Sequence, residues 1–109
     1  MADASPDPLD GADLDALIDD ATTAADVKTL SAFGYETRYR LVRLLVEANE
    51  PVRFDAITPY VSISDSAVSH ALTLLHDAGL VEKRKDGRSR SYAATRRAEE
   101  LVNALDRTR

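Results

Sequence analysis

Residues 64–92 read SDSAVSHALTLLHDAGLVEKRKDGRSRSY, and the fold turns on how this stretch is divided. It opens with Ser64-Asp65, side chains suited to capping a helix start. From Val68 the apolar residues recur at Ala71, Leu72, Leu75 and Ala78, the three-four spacing of one helical stripe, and Gly79 offers a stop. The spacing predicts a helix over about Asp65 to Ala78. On a wheel of about 100° per residue its other side carries Ser66, Ser69, His70 and Thr73, with Asp77 further along. A groove-reading helix requires this division: one face fixed in the core, the other short and polar so that the backbone can approach base edges. Directly afterwards, Leu80 to Lys85 and Arg88 to Ala93 flank Asp86-Gly87, the arrangement of a hairpin closed by a type I′ turn. Arg84, Lys85, Arg88 and Arg90 then sit near the hairpin tip, within reach of phosphates or a minor groove.

Upstream of this stretch, Pro59 restricts Phe54 to Tyr60 to a short helix, because proline lacks an amide donor and disfavours helical geometry in the residue before it. The turn Ser62-Ile63-Ser64-Asp65 follows, so short helix, polar turn and longer helix give the outline of a helix-turn-helix. Before it, a helix over about Tyr35 to Ala48 is expected to bury Leu41, Val42, Leu45 and Ala48, with Arg38, Arg40 and Arg43 at its margin and Pro51 as its stop. Residues 1–9 read as a flexible acidic tail, and residues 10–109 as one winged helix-turn-helix domain. Asp10 can cap a helical region from about Gly11 to Phe33, closed by Gly34 and either continuous or broken near Thr22 and Thr23. Its apolar positions Leu14, Leu17, Ile18, Ala21 and Ala25 form one stripe. A last helix, about Thr95 to Arg107, has its stripe at Ala98, Leu101, Val102 and Leu105. A three-helix winged core does not use both stripes, so Leu14, Leu17, Ile18 and Ala21 together with Ala98, Leu101, Val102 and Leu105 are predicted to form a homodimer interface.

The 109 residues suffice for one domain with a modest core. Their net charge of −5 conceals a split. Residues 1–26 hold eight Asp and no Lys or Arg, whereas residues 82–97 hold seven Lys or Arg against Glu82 and Asp86. The basic island is the electrostatic footprint expected of a polyanion binder. Thirteen Asp and eleven Arg against three Lys resemble the composition of halophilic archaeal proteins, whose carboxylates hold water in concentrated salt; a GC-rich genome also favours Arg over Lys. No basic start with an apolar run and no bilayer-length apolar stretch is present, so a soluble, cytoplasmic protein without membrane partners is expected.

From about Ala25 to Leu105 the sequence resembles the ArsR/SmtB group of prokaryotic winged-helix repressors. YETRYRLVRLL at 35–45 and the quoted stretch carry the resemblance, through Ser69, Leu72, Leu75, Ala78-Gly79-Leu80-Val81, Gly87 and Tyr92. MarR-type regulators share the AGLV-plus-wing arrangement. The resemblance implies a mainly α fold with a small β-hairpin, and a homodimeric, sequence-specific regulator of transcription bound to double-stranded DNA. Ser64, Ser66, Ser69, His70 and Thr73 would face the major groove, and Arg84, Lys85, Arg88 and Arg90 the backbone or minor groove. Metal sensing does not carry over. Residues 95–109 contain no His, and the chain has no Cys.

Other chemistries are poorly served. His70 and His76 lie six residues apart on one helix and point about 120° from each other, so they cannot pinch one ion. No nucleophile sits beside an activating base, and no Gly-rich phosphate loop exists. Neither an enzyme nor a bound cofactor is expected. A winged helix docking onto transcription machinery without reading DNA is the alternative from another class; net acidity favours it and the basic hairpin favours DNA.

Overall fold

Side-chain caps set where the helices start. Asp19 accepts a hydrogen bond from the Thr22 amide at 3.0 Å and from its hydroxyl at 2.9 Å, opening α1 (Asp20–Phe33). Ser64 accepts from the Ala67 amide at 3.2 Å and Thr95 from the Ala98 amide at 3.2 Å, opening α4 (Asp65–Asp77) and α5 (Arg96–Arg107). The computed structural model describes residues 17–109. Between these helices lie α2 (Glu36–Ala48), β1 (Val52–Arg53), α3 (Phe54–Ile57) with a 3-10 turn (Thr58–Tyr60), and the hairpin of β2 (Val81–Asp86) and β3 (Ser89–Ala94).

The helical region expected from about Gly11 is interrupted, but at Ile18-Asp19 rather than near Thr22 and Thr23. Both threonines instead serve the new start, since the Thr23 hydroxyl also donates to the Asp19 carbonyl at 2.8 Å. Leu14 and the Asp10 cap lie outside the described residues. At the other end of the helix-turn-helix, α3 tightens to 3-10 geometry at Thr58. Pro59 has no amide to offer the Asp55 carbonyl, and its ring would crowd that carbonyl in a continued α-helix.

The hairpin differs from expectation by one residue. Pairing runs from Val81↔Ala94 to Asp86↔Ser89, which leaves Gly87-Arg88 as the central pair of the turn. Gly87 has φ 63°, while Asn49 is the only non-glycine with positive φ among the described residues. Positive φ at the first central position alone is the mark of type II′, not I′. A third strand, not evident from the sequence, completes the sheet in the order β1-β3-β2, with Val52↔Tyr92 and Arg53↔Ser91.

The core gathers Leu41, Val42 and Leu45 from α2, Ile57 from α3, Val68, Leu72 and Leu75 from α4, then Leu80, Val81 and Tyr92 from the wing, with Ala98 and Val102 from α5. Ala48, expected inside, is exposed; it is the last residue of α2, next to the left-handed cap Asn49 (φ 55°), past the end of the buried stripe at Leu45. Helix α1 contributes little: Thr29 and Ala32 are its buried residues.

Two threonines pin the end of α4. The Thr29 hydroxyl lies 3.2 Å from the Ala78 carbonyl and 3.2 Å from the Ala25 carbonyl, and the Thr95 hydroxyl donates to the Gly79 carbonyl at 2.8 Å. The Ala78 and Gly79 carbonyls lie at the helix end, where no intrahelical donor reaches them. Gly79 itself, at φ 77°, makes the left-handed exit that sends the chain into β2.

Candidate nucleic-acid interface

The inner stripe of α4, Val68, Ala71, Leu72 and Leu75, is buried, which fixes the helix azimuth and turns Ser66, His70, Thr73 and Asp77 to solvent. These residues form a row of short polar groups along the outer face. Ser64 belongs to the cap, with its hydroxyl 3.2 Å from that of Ser66. The Thr73 hydroxyl donates to the Ser69 carbonyl at 3.0 Å, leaving its lone pairs as the outward function. Ser69 is half-buried, because a side chain from the wing lies on it.

That side chain is Arg90. Its guanidinium stacks over the Phe54 ring at 4.6 Å and its Nη1 donates to the Ser69 hydroxyl at 3.4 Å. The Phe54 and Tyr92 rings in turn lie 6.5 Å apart. One arginine therefore ties the wing to α3 and to α4. A basic residue in a hairpin reads as a phosphate ligand from sequence; here it also holds the angle between the wing and the helix.

Strand register separates the other basic side chains. Lys85 pairs with Arg90 and Lys83 with Tyr92 on one face of the hairpin; Arg84 pairs with Ser91 on the other, in line with Arg53 of β1. Arg88 occupies the turn and is exposed. The four basic residues singled out by sequence thus form a rim around the hairpin rather than one patch. Arg53, Phe54 and Lys83 join that rim. A two-residue strand carries no alternation that could have announced Arg53.

The residues expected to pair two protomers divide likewise. Ala98 and Val102 are fully buried within the chain and serve its own core. Leu17 (80% exposed), Ile18 and Ala21 lie at the surface, Leu101 is half-buried, and Leu105 is exposed. Val27 and Leu30, absent from the expected set, are also exposed. Between α1 and α5 an open apolar groove of about 330 Å³ is lined by residues including Leu30, Phe33, Tyr39, Leu101 and Leu105. Beside it, Arg43 of α2 holds the end of α5 through Asp106, Nη1 to Oδ1 2.7 Å, and Arg109 meets the same oxygen at 2.7 Å. The Arg43 hydrogen bond is the main cause that keeps the Asp106 carboxyl below the usual carboxylate range.

Among the described residues no three His, Asp or Glu side chains converge as a metal site would require. Nor is any helix among them long and apolar enough to cross a membrane.

Comparison with known proteins agrees with this geometry. The family described as "Bacterial regulatory protein, arsR family" matches residues 36–83, from the start of α2 into the wing. Over 97 residues the chain is 43% identical to the "Putative arsenical resistance operon repressor ArsR" of Halobacterium salinarum, covering 89% of this chain and 75% of that protein. The acidic, Lys-poor composition fits a haloarchaeal relative. The crystal structure of a "Possible transcriptional regulator for arsenical resistance" is 33% identical, with a TM-score of 0.61 over 74% of this chain and 82% of that one. HlyU from Vibrio cholerae N16961 has a TM-score of 0.70 over 82% of this chain and 96% of its own, and at 23% identity it attests the fold alone. The chain belongs to the arsR family and is a winged-helix, DNA-binding regulator of transcription.

Proposed function

We propose that the chain represses transcription in the cytoplasm as a symmetric homodimer, each protomer laying α4 in a major groove of a palindromic operator. The observation that carries this reading is the outer row Ser66, His70 and Thr73, presented on a helix whose inner stripe is buried and whose angle to the wing is held by Arg90. Half-sites one helical turn apart, centre to centre about 34–36 Å, follow for such a dimer. The row lacks Asn, Gln and Arg, which make the bidentate base contacts worth about 1–3 kcal/mol of discrimination, so DNA shape supplies much of the selectivity. Ser69, engaged by Arg90, serves the interface by orienting the wing, and Arg84, Lys85 and Arg88 supply phosphate contacts that hold the register.

The exposed aliphatic surface of α1 and α5 supports the dimer. Leu30 shares an open apolar groove with Leu101 and Leu105, and Leu17 and Ile18 are exposed just ahead of α1. The effector is a separate matter. Trivalent arsenic is a soft acceptor that favours thiolate ligands, and these 109 residues contain no cysteine. The operator-binding half of the relatives' description carries over; capture of a metalloid by thiolates does not.

Fluorescence anisotropy with a duplex from the chain's own upstream region, against a scrambled duplex, tests the reading. The triple variant S66A/H70A/T73A should bring the operator down to the affinity of the scrambled duplex while leaving the latter nearly unchanged. Equal wild-type affinity for both duplexes, unmoved by the variant, would sink it.

A further inference from the structure

Beside the wing lies an open notch of about 220 Å³, lined by Arg53, Phe54, Asp55, Arg88, Ser89 and Arg90. It exists because β1 is so short. Pairing with β1 ends at Arg53↔Ser91, so along Arg90 and Ser89 β3 is paired with β2 alone and open on its other side. The chain meanwhile turns into α3, so Phe54 and Asp55 form one wall and the end of the wing the other.

Three of the six residues lining the notch are arginines and one is an aspartate, so the charge around it is one-sided. Arg53 approaches Asp55 at 3.5 Å, but their side chains are 66% and 74% exposed, so the pair is well solvated and weak. Arg53 therefore keeps its charge available. Arg90 is fixed by Phe54 and Ser69, and a guanidinium has five N–H donors, of which Ser69 takes one. Arg88, just past Gly87 in the turn, closes the outer end, where Ser89 adds a hydroxyl. Planar forks of this kind match the oxygens of a phosphate, which they can bind in pairs.

We propose that the notch seats one phosphate of the DNA backbone, contacted by Arg53 and Arg88 above the fixed guanidinium of Arg90. The inference rests on the reading of α4 and the wing as the DNA-facing surface, and adds to it a contact from β1, outside both. A phosphate attached to a duplex suits the position better than a free one. Ser69 links Arg90 directly to α4, so a helix seated in the groove delivers a neighbouring strand to the notch, and the open shape admits a phosphate that remains part of a chain.

The variant R53Q keeps an unbranched, polar side chain while removing the charge, and circular dichroism verifies that it folds. Its affinity for both operator and scrambled duplex should weaken, and the slope of log affinity on log salt should flatten by about one unit. A neutral methylphosphonate walked along the operator backbone should reveal one position where wild-type protein loses about tenfold and R53Q loses nothing further. A steep wild-type slope retained in full by R53Q, with an unchanged methylphosphonate profile, overturns the notch and leaves the DNA-binding reading intact. Wild-type binding with no salt dependence overturns both. Inorganic phosphate, titrated while the Arg53 and Arg90 side-chain N–H resonances are followed, distinguishes the remaining source: saturable shifts together with a wild-type slope in R53Q would assign the notch to a free anion instead.

Discussion

Helices α1 and α4 are of nearly equal length, 14 and 13 residues, yet they stand in opposite relation to the core. In α4 the whole apolar stripe is buried, with Val68, Leu72 and Leu75 at 0% exposure. In α1 the aliphatic residues point away: Val27 is 54% exposed and Leu30 61%, while a threonine and an alanine face inward. The neighbours explain the contrast. Helix α4 is enclosed by α1, α2 and β2, whereas α1 touches α2 and α4 along a narrow edge built from small side chains. A leucine of the α4 stripe therefore serves the fold, whereas the exposed leucine of α1 is left to the proposed dimer.

Truncating one leucine in each helix should separate these roles most sharply. Leu72→Ala removes a fully buried side chain and should cost about 2–5 kcal/mol, a large part of the stability of a domain of this size. Leu30→Ala should shift the unfolding of dilute, monomeric protein by no more than about 0.5 kcal/mol. Urea denaturation followed by circular dichroism measures both. Comparable losses at low concentration would abolish the distinction between the helices.

Charging the apolar groove is the converse test. Leu30→Asp combined with Leu105→Asp puts two carboxylates beside Phe33 and Leu101 without touching α4. Light scattering in molar potassium chloride should show a monomer with native helix content, and affinity for a two-half-site operator should fall at least a hundredfold, toward that of a single half-site. A dimer that survived both substitutions would locate the partner surface elsewhere.

How far the sequence could be read follows the same division. The bounds of α4 were legible because Ser64, the three-four spacing and Gly79 are local signals that agree with one another. The wing was legible from Gly87, but the turn was displaced by one residue, since Asp-Gly fits type I′ as a dipeptide and only the pairing of Asp86 with Ser89 selects type II′. Periodicity marked Ala98 and Val102 as apolar without saying what they pack on; the core takes both, leaving Leu101 and Leu105 at the surface. The stacking of Arg90 on Phe54 and the arrival of Arg53 at the wing depend on pairs remote in sequence. No local pattern encodes them.

Where the two helices meet, Thr29 should show an intermediate effect. Its hydroxyl lies within donating distance of the Ala78 carbonyl at the end of α4, and its side chain is buried. Thr29→Val keeps the shape and removes the donor, so the change should cost about 1 kcal/mol. Hydrogen exchange should find the loss concentrated in amides near the C-terminus of α4. A neutral substitution would show that α1 merely rests against α4.

Acid should distinguish the terminal helices from α4 by the smallest effect. Asp19, which caps α1, is held below the usual carboxylate range chiefly by the hydrogen bond from the Thr22 amide, and Asp106 in α5 chiefly by that from Arg43. A carboxyl depressed in the folded state contributes stability above its unfolded value, about 3.9 for Asp, and loses that contribution as pH falls through the folded value. Below about pH 4, then, the start of α1 and the end of α5 should loosen, whereas the cap of α4 is Ser64, a hydroxyl that does not titrate in this range. Amide resonances followed from pH 6 to pH 2 should move first around Thr22 and Asp106. Asp19→Asn preserves a capping side chain while removing its titration, so it should abolish the acid response at α1 and leave that of α5 unchanged. Simultaneous loosening of all three helices in the wild type would mean that the terminal helices are no more separable from the core than α4 is.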